Sequence, residues 1–293
     1  MSEPLASVVV CTMASRADDL ARCLASLAAA EGADRLEVLV VSWRGERVEL
    51  PPAPDLAVRI VGSASRGAAG KKNDGVREAR GAVIAFLDDD AAVREDYPSQ
   101  LLAAFADRLD YAGGAVEPLF DIPVPSDFAP VLFSVGGFNR HGGMDRAEAW
   151  MSANCAFRRG FLLELGPFDV RLGPGGSYLP WGEDSELFRR AAARGRGAFA
   201  PDLVVRHRIQ AVRLTVPYLL RRAWLAGRTL CLIDRRHRQD YARRALPIPL
   251  YALRTGLTSA RWPGDLAARV KARRFAGYAY ESLRLALLGM TPR

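Results

Sequence analysis

The chain predicts an α/β fold in which a mostly parallel sheet is flanked by helices and followed by a helical C-terminal extension. Three observations carry this expectation. Short apolar runs alternate with helical patterns over the first eighty or so residues, the spacing of parallel strands joined by right-handed crossovers. The stretch AVIAFLDDD, from Ala82 to Asp90, runs apolar without polar alternation and then ends in three carboxylates. Such a run fits a strand covered on both faces better than a surface strand or a helix. From Arg206 onward the sequence is rich in Arg, Leu and Ala at helical spacing.

Taken in order, 6–11 (ASVVVC) reads as a first strand, followed by a helix from about Ala17 to Ala30 whose Leu20, Leu24 and Leu27 share a face. Ser15 and Asp18 have the spacing of a capping box. Residues 36–41 (LEVLVV) and 57–62 (AVRIVG) give two more strands, separated by the loop that PPAP at 51–54 enforces. The segment 63–81 combines glycines, Lys71, Lys72 and Asn73 ahead of a helix ending at Gly81. Small residues there let backbone approach a ligand, and the lysines suit phosphate or ribose. It is not a P-loop, because GxxxxGK[ST] is absent.

After the aspartates, Pro98 suits the first turn of a helix running to about Asp110, and 111–120 is another strand. Residues 121–150 read as a long loop, an acceptor-facing flap or an edge excursion. WMSANCAFRRGFLLELGPFD (150–169) is a strand entering a short helix that breaks at Gly166-Pro167. The glycine-rich 171–182 carries Trp181 and resembles a mobile lid over a sugar. Glu183 and Asp184 then open a helix, where the dipole favours an anion. Residues 201–208 form a last strand ending near His207, and a lone histidine there reads by its pattern as structural or solvated. About three amphipathic helices follow, broken at 247–249 and 263–264.

The 293 residues fit one enlarged α/β domain with an appendage, divided as 1–210 and 211–293. Apolar and charged fractions of 49% and 25% are those of an ordinary globule. The N-terminus MSEPLASVVVC lacks a basic n-region, and no uncharged run approaches a membrane span, so a cytoplasmic location is expected. Four scattered cysteines without CxxC spacing indicate neither a zinc site nor a disulfide frame. Net charge is +8, but residues 206–293 hold 19 Arg/Lys against 4 Asp/Glu, +15, leaving the first 205 residues at −7. An acidic first part with a basic tail has two readings: the tail helices pack their apolar stripes on the core and leave arginines in water, or part of the basic face meets an anionic partner, either a membrane surface met peripherally or an acidic acceptor. No nucleic-acid module or aromatic stacking array accompanies the charge.

The carboxyl edge of an open α/β sheet is where ligands bind, and Asp88, Asp89 and Asp90 fall there. Three adjacent carboxylates repel one another. A hard divalent cation shared with phosphate oxygens would relieve them, and a solvated acidic turn is the alternative.

Seven elements in order then resemble the family 2 glycosyltransferases with the GT-A fold, particularly soluble bacterial members: Cys-Thr and Arg16 after the first strand, L..CL.SL, K-N.G.REARG, FLDDD, SAN.AFRR, GPFD and GED.ELF.R. The resemblance covers about Ser7 to Arg208. It implies a Rossmann-like nucleotide-binding sheet and an inverting transfer of a sugar from a nucleotide-diphosphate sugar, of UDP or dTDP type, to a small-molecule, glycan or lipid-linked acceptor. It further implies Asp184 as general base, with Asp90 and His207 holding Mn²⁺ or Mg²⁺. Thr12, Arg16, Ser42, Lys72, Asn73, Asp88 and Asp89 would line the nucleotide, and Asn154, Trp181 and Glu183 the sugar or acceptor. The family's uracil-pairing Asp at the end of the second strand is replaced by Ser42, with Trp43 next to it as a possible stacking surface. Two rival readings are a sugar nucleotidyltransferase, whose glycine-rich phosphate loop is missing from CTMASRADD, and a sugar-nucleotide binder without activity.

Overall fold

The computed structural model describes residues 4–50, 56–135, 152–236 and 265–287. Strands β1 (Ala6–Cys11), β2 (Leu36–Trp43), β3 (Ala57–Ser63) and β4 (Val83–Asp88) alternate with helices α1 (Ala17–Ala28) and α2 (Ala68–Glu78). There follow β5 (Ala91–Val93), α3 (Tyr97–Ala104), β6 (Tyr111–Phe120), β7 (Asn154–Arg158), α4 (Arg159–Leu165), α5 (Glu183–Ala192) and β8 (Gly197–Ile209). Two long helices close the described chain, α6 (Val216–Arg236) and α7 (Leu266–Leu287). A 3₁₀ helix spans Ser126–Val135, inside the expected loop. The expected breaks at 247–249 and 263–264 lie outside the described residues.

All eight strands form one sheet in the order β3-β2-β1-β4-β7-β6-β8-β5. The parallel part is β3-β2-β1-β4, and the pairs β4/β7, β6/β7 and β5/β8 are antiparallel. The sheet is therefore mixed α/β. Successive side chains of a strand point to opposite faces, and both faces are apolar here: Val8, Val10, Val38 and Val40 meet Leu20, Leu24 and Leu27 of α1. Val9, Leu39, Ile84 and Phe86 meet Phe157, Leu187 and Phe188 on the other side. This double burial is why the strands carry unbroken apolar runs.

Several local expectations change. The Ser15–Asp18 capping box does not form; Ser15 lies in a 3₁₀ turn over Ala14–Arg16, and Arg16 caps α1 without a side-chain bond. Lys71, Lys72 and Asn73 sit inside α2 rather than ahead of it, and α3 ends at Ala104. The last strand begins earlier than expected, at Gly197.

The chain divides into two compact units. The first contains the sheet through Leu119 and Arg208 together with α1 to α5; the second contains Phe120–Gly136, Tyr178–Gly182 and everything from Ile209. Phe120–Gly136 and Tyr178–Gly182, which precede residue 210 in sequence, are thus grouped with the second unit. There, Phe128, Val131, Ile209, Leu214, Leu219, Ala223, Leu266 and Val270 make a separate core. All four cysteines are free.

Beneath the parallel strands lies a polar latch. Ser7 Oγ donates to Glu37 Oε1 at 2.6 Å, and the N–H groups of Arg80 and Gly81 donate to Glu37 and Ser7. Burial works against the Glu37 charge, but the Ser7 hydroxyl, the Arg80 amide and Arg59 hold its carboxyl below the usual range. The turn into β4 fits only because Gly81 lacks a side chain, since a Cβ there would stand 2.5 Å from the Ala6 and Ser7 backbone. Gly81→Ala should lower the unfolding free energy by about 1–3 kcal/mol, read as a reduced denaturant midpoint at constant slope. An unchanged midpoint would show that β1 and the turn can separate freely.

Candidate functional site

The pairing registers bring the charged residues together. Cys11 pairs with Asp88 across β1/β4, which sets Thr12 and Arg16 near the aspartates; Ala91 pairs with His207 across β5/β8, which brings the imidazole back beside Asp90. The Arg208 N–H also donates to the Asp90 carbonyl at 2.9 Å. His207 Nε2 lies 3.0 Å from Asp90 Oδ1 and 3.6 Å from Asp88 Oδ2. Arg16 takes the other side, 2.5 Å from Asp90 Oδ2 and 3.0 Å from Asp89 Oδ1. Thr12 Oγ1 donates to Asp89 Oδ2 at 2.8 Å.

Burial alone would lower the His207 pKa, but the two carboxylates outweigh it and push it up to about 9. Burial raises Asp89 to about 7 against the pull of Arg16 and Thr12. At Asp88, burial and Asp90 push upward, and the hydrogen bond and charge of His207 bring the carboxyl below its ordinary value.

Asp88, Asp90 and His207 each offer a ligand atom, all within 4.8 Å of one another. Two hard carboxylate oxygens and one imidazole nitrogen suit Mn²⁺ or Mg²⁺. The donor set fits. The Asp88 side chain is 42% exposed and that of Asp90 3%, so Asp88 is the more accessible of the pair. The structure thereby joins Asp88, expected on the nucleotide, to the same cluster as Asp90 and His207.

A second charge cluster surrounds Asp184. Lys72 Nζ, buried, bonds Glu183 Oε1 at 2.8 Å and Ser152 Oγ at 2.7 Å. The Ser152 N–H reaches Asp184 Oδ2 at 3.4 Å, and the Ser185 N–H donates to Asp184 Oδ1 at 2.7 Å. Burial would discharge Lys72, yet Glu183, Asp88 and Asp184 together raise its pKa above the ordinary lysine value. For Asp184, burial comes first and Glu183 second in raising the carboxyl to about 6, with Lys72 opposing them. Gly173, at φ +86°, is the residue that lets the glycine-rich loop pass Glu183: a Cβ would sit 2.5 Å from Glu183 Oε2.

Several expected contacts are taken by the protein itself. Asn154 is fully buried and its Nδ2 donates to the carbonyls of Ala115 and Leu203, both at 2.8 Å, so the amide joins strands. Asn73 exchanges two hydrogen bonds with the Phe168 backbone, 3.0 and 2.8 Å, and staples the GPFD turn to α2. Thr12 and Lys72 are buried with their polar ends spent on Asp89 and on Glu183 and Ser152, so they act on the site through those partners. Ser42 is buried at the end of β2, and Trp43 is covered by the Arg66 guanidinium at 3.8 Å, so that face is not free for a base. Trp181 falls in the second unit, under the guanidinium of Arg222 at 3.6 Å.

Sequence reasoning missed Ser152, Asp19 and Arg208. Asp19, buried in the first turn of α1, receives Arg208 NH1 at 2.9 Å, pairs with Arg22, and lies 3.6 Å from Arg16. The signal available was Asp19 following Arg16 at helical spacing; its pairing with Arg208, 189 residues further on, has no local signature.

Residues 7–125 match the family model described as Glycosyl transferase family 2. No curated protein matches the chain. Among solved structures, the mannosyltransferase PcManGT from Pyrobaculum calidifontis, in complex with GDP-Man and Mn²⁺, is similar with a TM-score of 0.59 and 20% identity, covering 97% of this chain and 88% of its own. S. aureus TarS 1-349, also solved with UDP, gives a TM-score of 0.50 at 14% identity, covering 98% of this chain and 93% of its own. These structural likenesses establish the GT-A fold, and the family 2 match covers the segment that carries Thr12, Arg16 and the three aspartates.

Lys72 is the countercharge for Asp184, so removing it must raise that carboxyl. In Lys72→Met the Asp184 titration, followed by carboxyl ¹³C NMR, should move above about 6. A midpoint that stayed or fell would remove Lys72 from the electrostatics of the site. The variant also leaves Glu183 buried without its cation and should lose about 3–5 kcal/mol of stability.

Proposed function

We propose that the chain is an inverting glycosyltransferase that moves a sugar from a nucleoside-diphosphate sugar to an acceptor hydroxyl. The observation that carries this reading is the joint arrangement of Asp88, Asp90 and His207 as a hard-ion donor set with Lys72, whose charge is coupled to Asp88 and to Asp184 alike. The family 2 match over 7–125 supports the reaction class, and the GDP-Man and UDP complexes of the similar structures support a nucleotide-bound donor.

In this reading Asp184 is the base. Its raised pKa of about 6 leaves it ionised at neutral pH yet more basic than a solvated aspartate, which suits proton abstraction. Asp184 takes the proton of the acceptor hydroxyl as that oxygen bonds to the anomeric carbon, and the bond to the diphosphate breaks with its electron pair leaving on the diphosphate. One displacement inverts the centre. When bound, Mn²⁺ or Mg²⁺ supplies Lewis-acid charge against the departing diphosphate, and Asp88, Asp90 and His207 are the residues that would hold it. Arg16, bridging Asp89 and Asp90, fixes both carboxylates, and its side chain, 23% exposed, is accessible to a phosphate oxygen. The +15 carried from Arg206 onward favours an anionic or lipid-linked acceptor. Among the described residues no helix is long and apolar enough to cross a membrane, so any bilayer contact by these helices would be peripheral.

Asp184→Asn should cut turnover by at least about 100-fold while nucleotide binding stays nearly intact. In the unmodified chain turnover should fall as pH drops through about 6, because protonation removes the base. A folded Asn variant with near-normal turnover would exclude Asp184. EDTA should abolish activity and Mn²⁺ or Mg²⁺ restore it, and calorimetry should show that Asp90→Ala loses the metal-dependent part of nucleoside-diphosphate affinity. Full activity in chelator would sink the ion site and leave the family 2 match of 7–125 untouched.

A further inference from the structure

The loop residues Tyr178–Gly182 lead by one peptide bond into Glu183 and Asp184, and their sequence suggests a mobile lid. Within the second unit they are tied down instead. The Tyr178 hydroxyl bonds Glu281 of α7 and accepts from Arg284. Glu281 is completely buried and takes Arg228 Nε at 2.7 Å and Arg284 at 3.2 Å. Thr229 Oγ1 of α6 donates to the Trp181 carbonyl at 3.2 Å, and Arg222 of α6 stacks on the Trp181 ring. Gly182, at φ +85°, lies where any side chain would collide with the Thr229 methyl.

Helices α6 and α7 are themselves in close contact. Gly227 faces the Arg274 carbonyl and Gly277 the Trp224 carbonyl, so neither position has room for a Cβ. Apolar side chains would hold two such helices together without burying a carboxylate, and a buried charge is costly unless fully paired. Three partners satisfy Glu281, and one of them, Tyr178, comes from the loop rather than from either helix. The cluster spends its polar bonds on fixing a loop.

We infer that the α6/α7 pair is a clamp that holds Tyr178–Gly182 in one conformation, so that Tyr178, Arg222, Thr229 and Glu281 are positioning residues for that loop. The inference rests on the reading of Asp184, which follows the loop directly in sequence, as base, and gives the basic extension a part in turnover beyond any surface it meets.

Hydrogen exchange on the full chain tests the clamp directly. In Glu281→Gln, and in Tyr178→Phe, which removes one hydroxyl and carries the test should the first fail to fold, amides of 178–182 should exchange at least about tenfold faster. With Mn²⁺ present and UDP-glucose, UDP-GlcNAc and GDP-mannose as probes, hydrolysis of whichever donor the unmodified chain turns over should fall at least about tenfold. Nucleoside-diphosphate affinity should stay within about twofold, which separates loop positioning from general damage. Unchanged exchange in both variants would overturn the clamp. Faster exchange with unchanged hydrolysis would overturn the positioning role. An unmodified chain that turns over no donor counts against the glycosyltransferase reading, and exchange alone then decides whether the clamp exists.

Discussion

Asp90 accepts on one oxygen from His207 and on the other from Arg16, and the active edge of the sheet depends on that double pairing. A carboxylate almost wholly withdrawn from water, with two more beside it in sequence, costs several kcal/mol unless cations meet it. His207 comes from β8 and Arg16 from the turn before α1, so β1, β4, β5 and β8 must all be in register before the charge is compensated. Asp19 extends the same logic: its contacts with Arg16 and Arg208 join the two cations through a shared counter-ion. The strand pairing and the electrostatics are thus one problem with one solution.

The same device recurs around Lys72. A lysine placed inside the first turns of α2 is poorly suited to a helix face packed on a sheet, and it is tolerated because Glu183 and Ser152 receive its protons. The consequence for chemistry lies in the balance. Burial and Glu183 push Asp184 toward neutrality while Lys72 pulls it back, leaving a carboxyl near 6 that is charged at neutral pH and retains basicity. The second unit handles its own buried carboxylate, Glu281, in the same manner with two arginines and a tyrosine. In each case a polar group is buried only where several elements converge to satisfy it.

Much was legible in the sequence. Unbroken apolar runs declared β1, β2 and β4 because both faces of those strands are covered, and the helix beginning at Glu183 was marked by acids in its first turn. The ordered motifs located the aspartates at a strand end, which determines which edge of the sheet binds ligands. Local chemistry suffices for such features, since burial period, breaker residues and charge order are properties of neighbours along the chain.

What only the tertiary structure decided are the pairings. Asn73, expected on the nucleotide donor, and Asn154, expected at the sugar, direct their amides to Phe168 and to Ala115 and Leu203, partners that only the folded chain brings close. The antiparallel half of the sheet was hidden for the same reason: strand direction beyond β4 depends on which edge a returning strand meets. Glycines and an exposed-looking tryptophan suggested a mobile lid at 171–182, whereas Tyr178 and Trp181 are held by partners about 50 to 100 residues further on. Sequence determines which groups must be paired; the partner each finds is set by long-range geometry, because a hydrogen bond or ion pair forms with whatever group of the right sign arrives within about 3 Å.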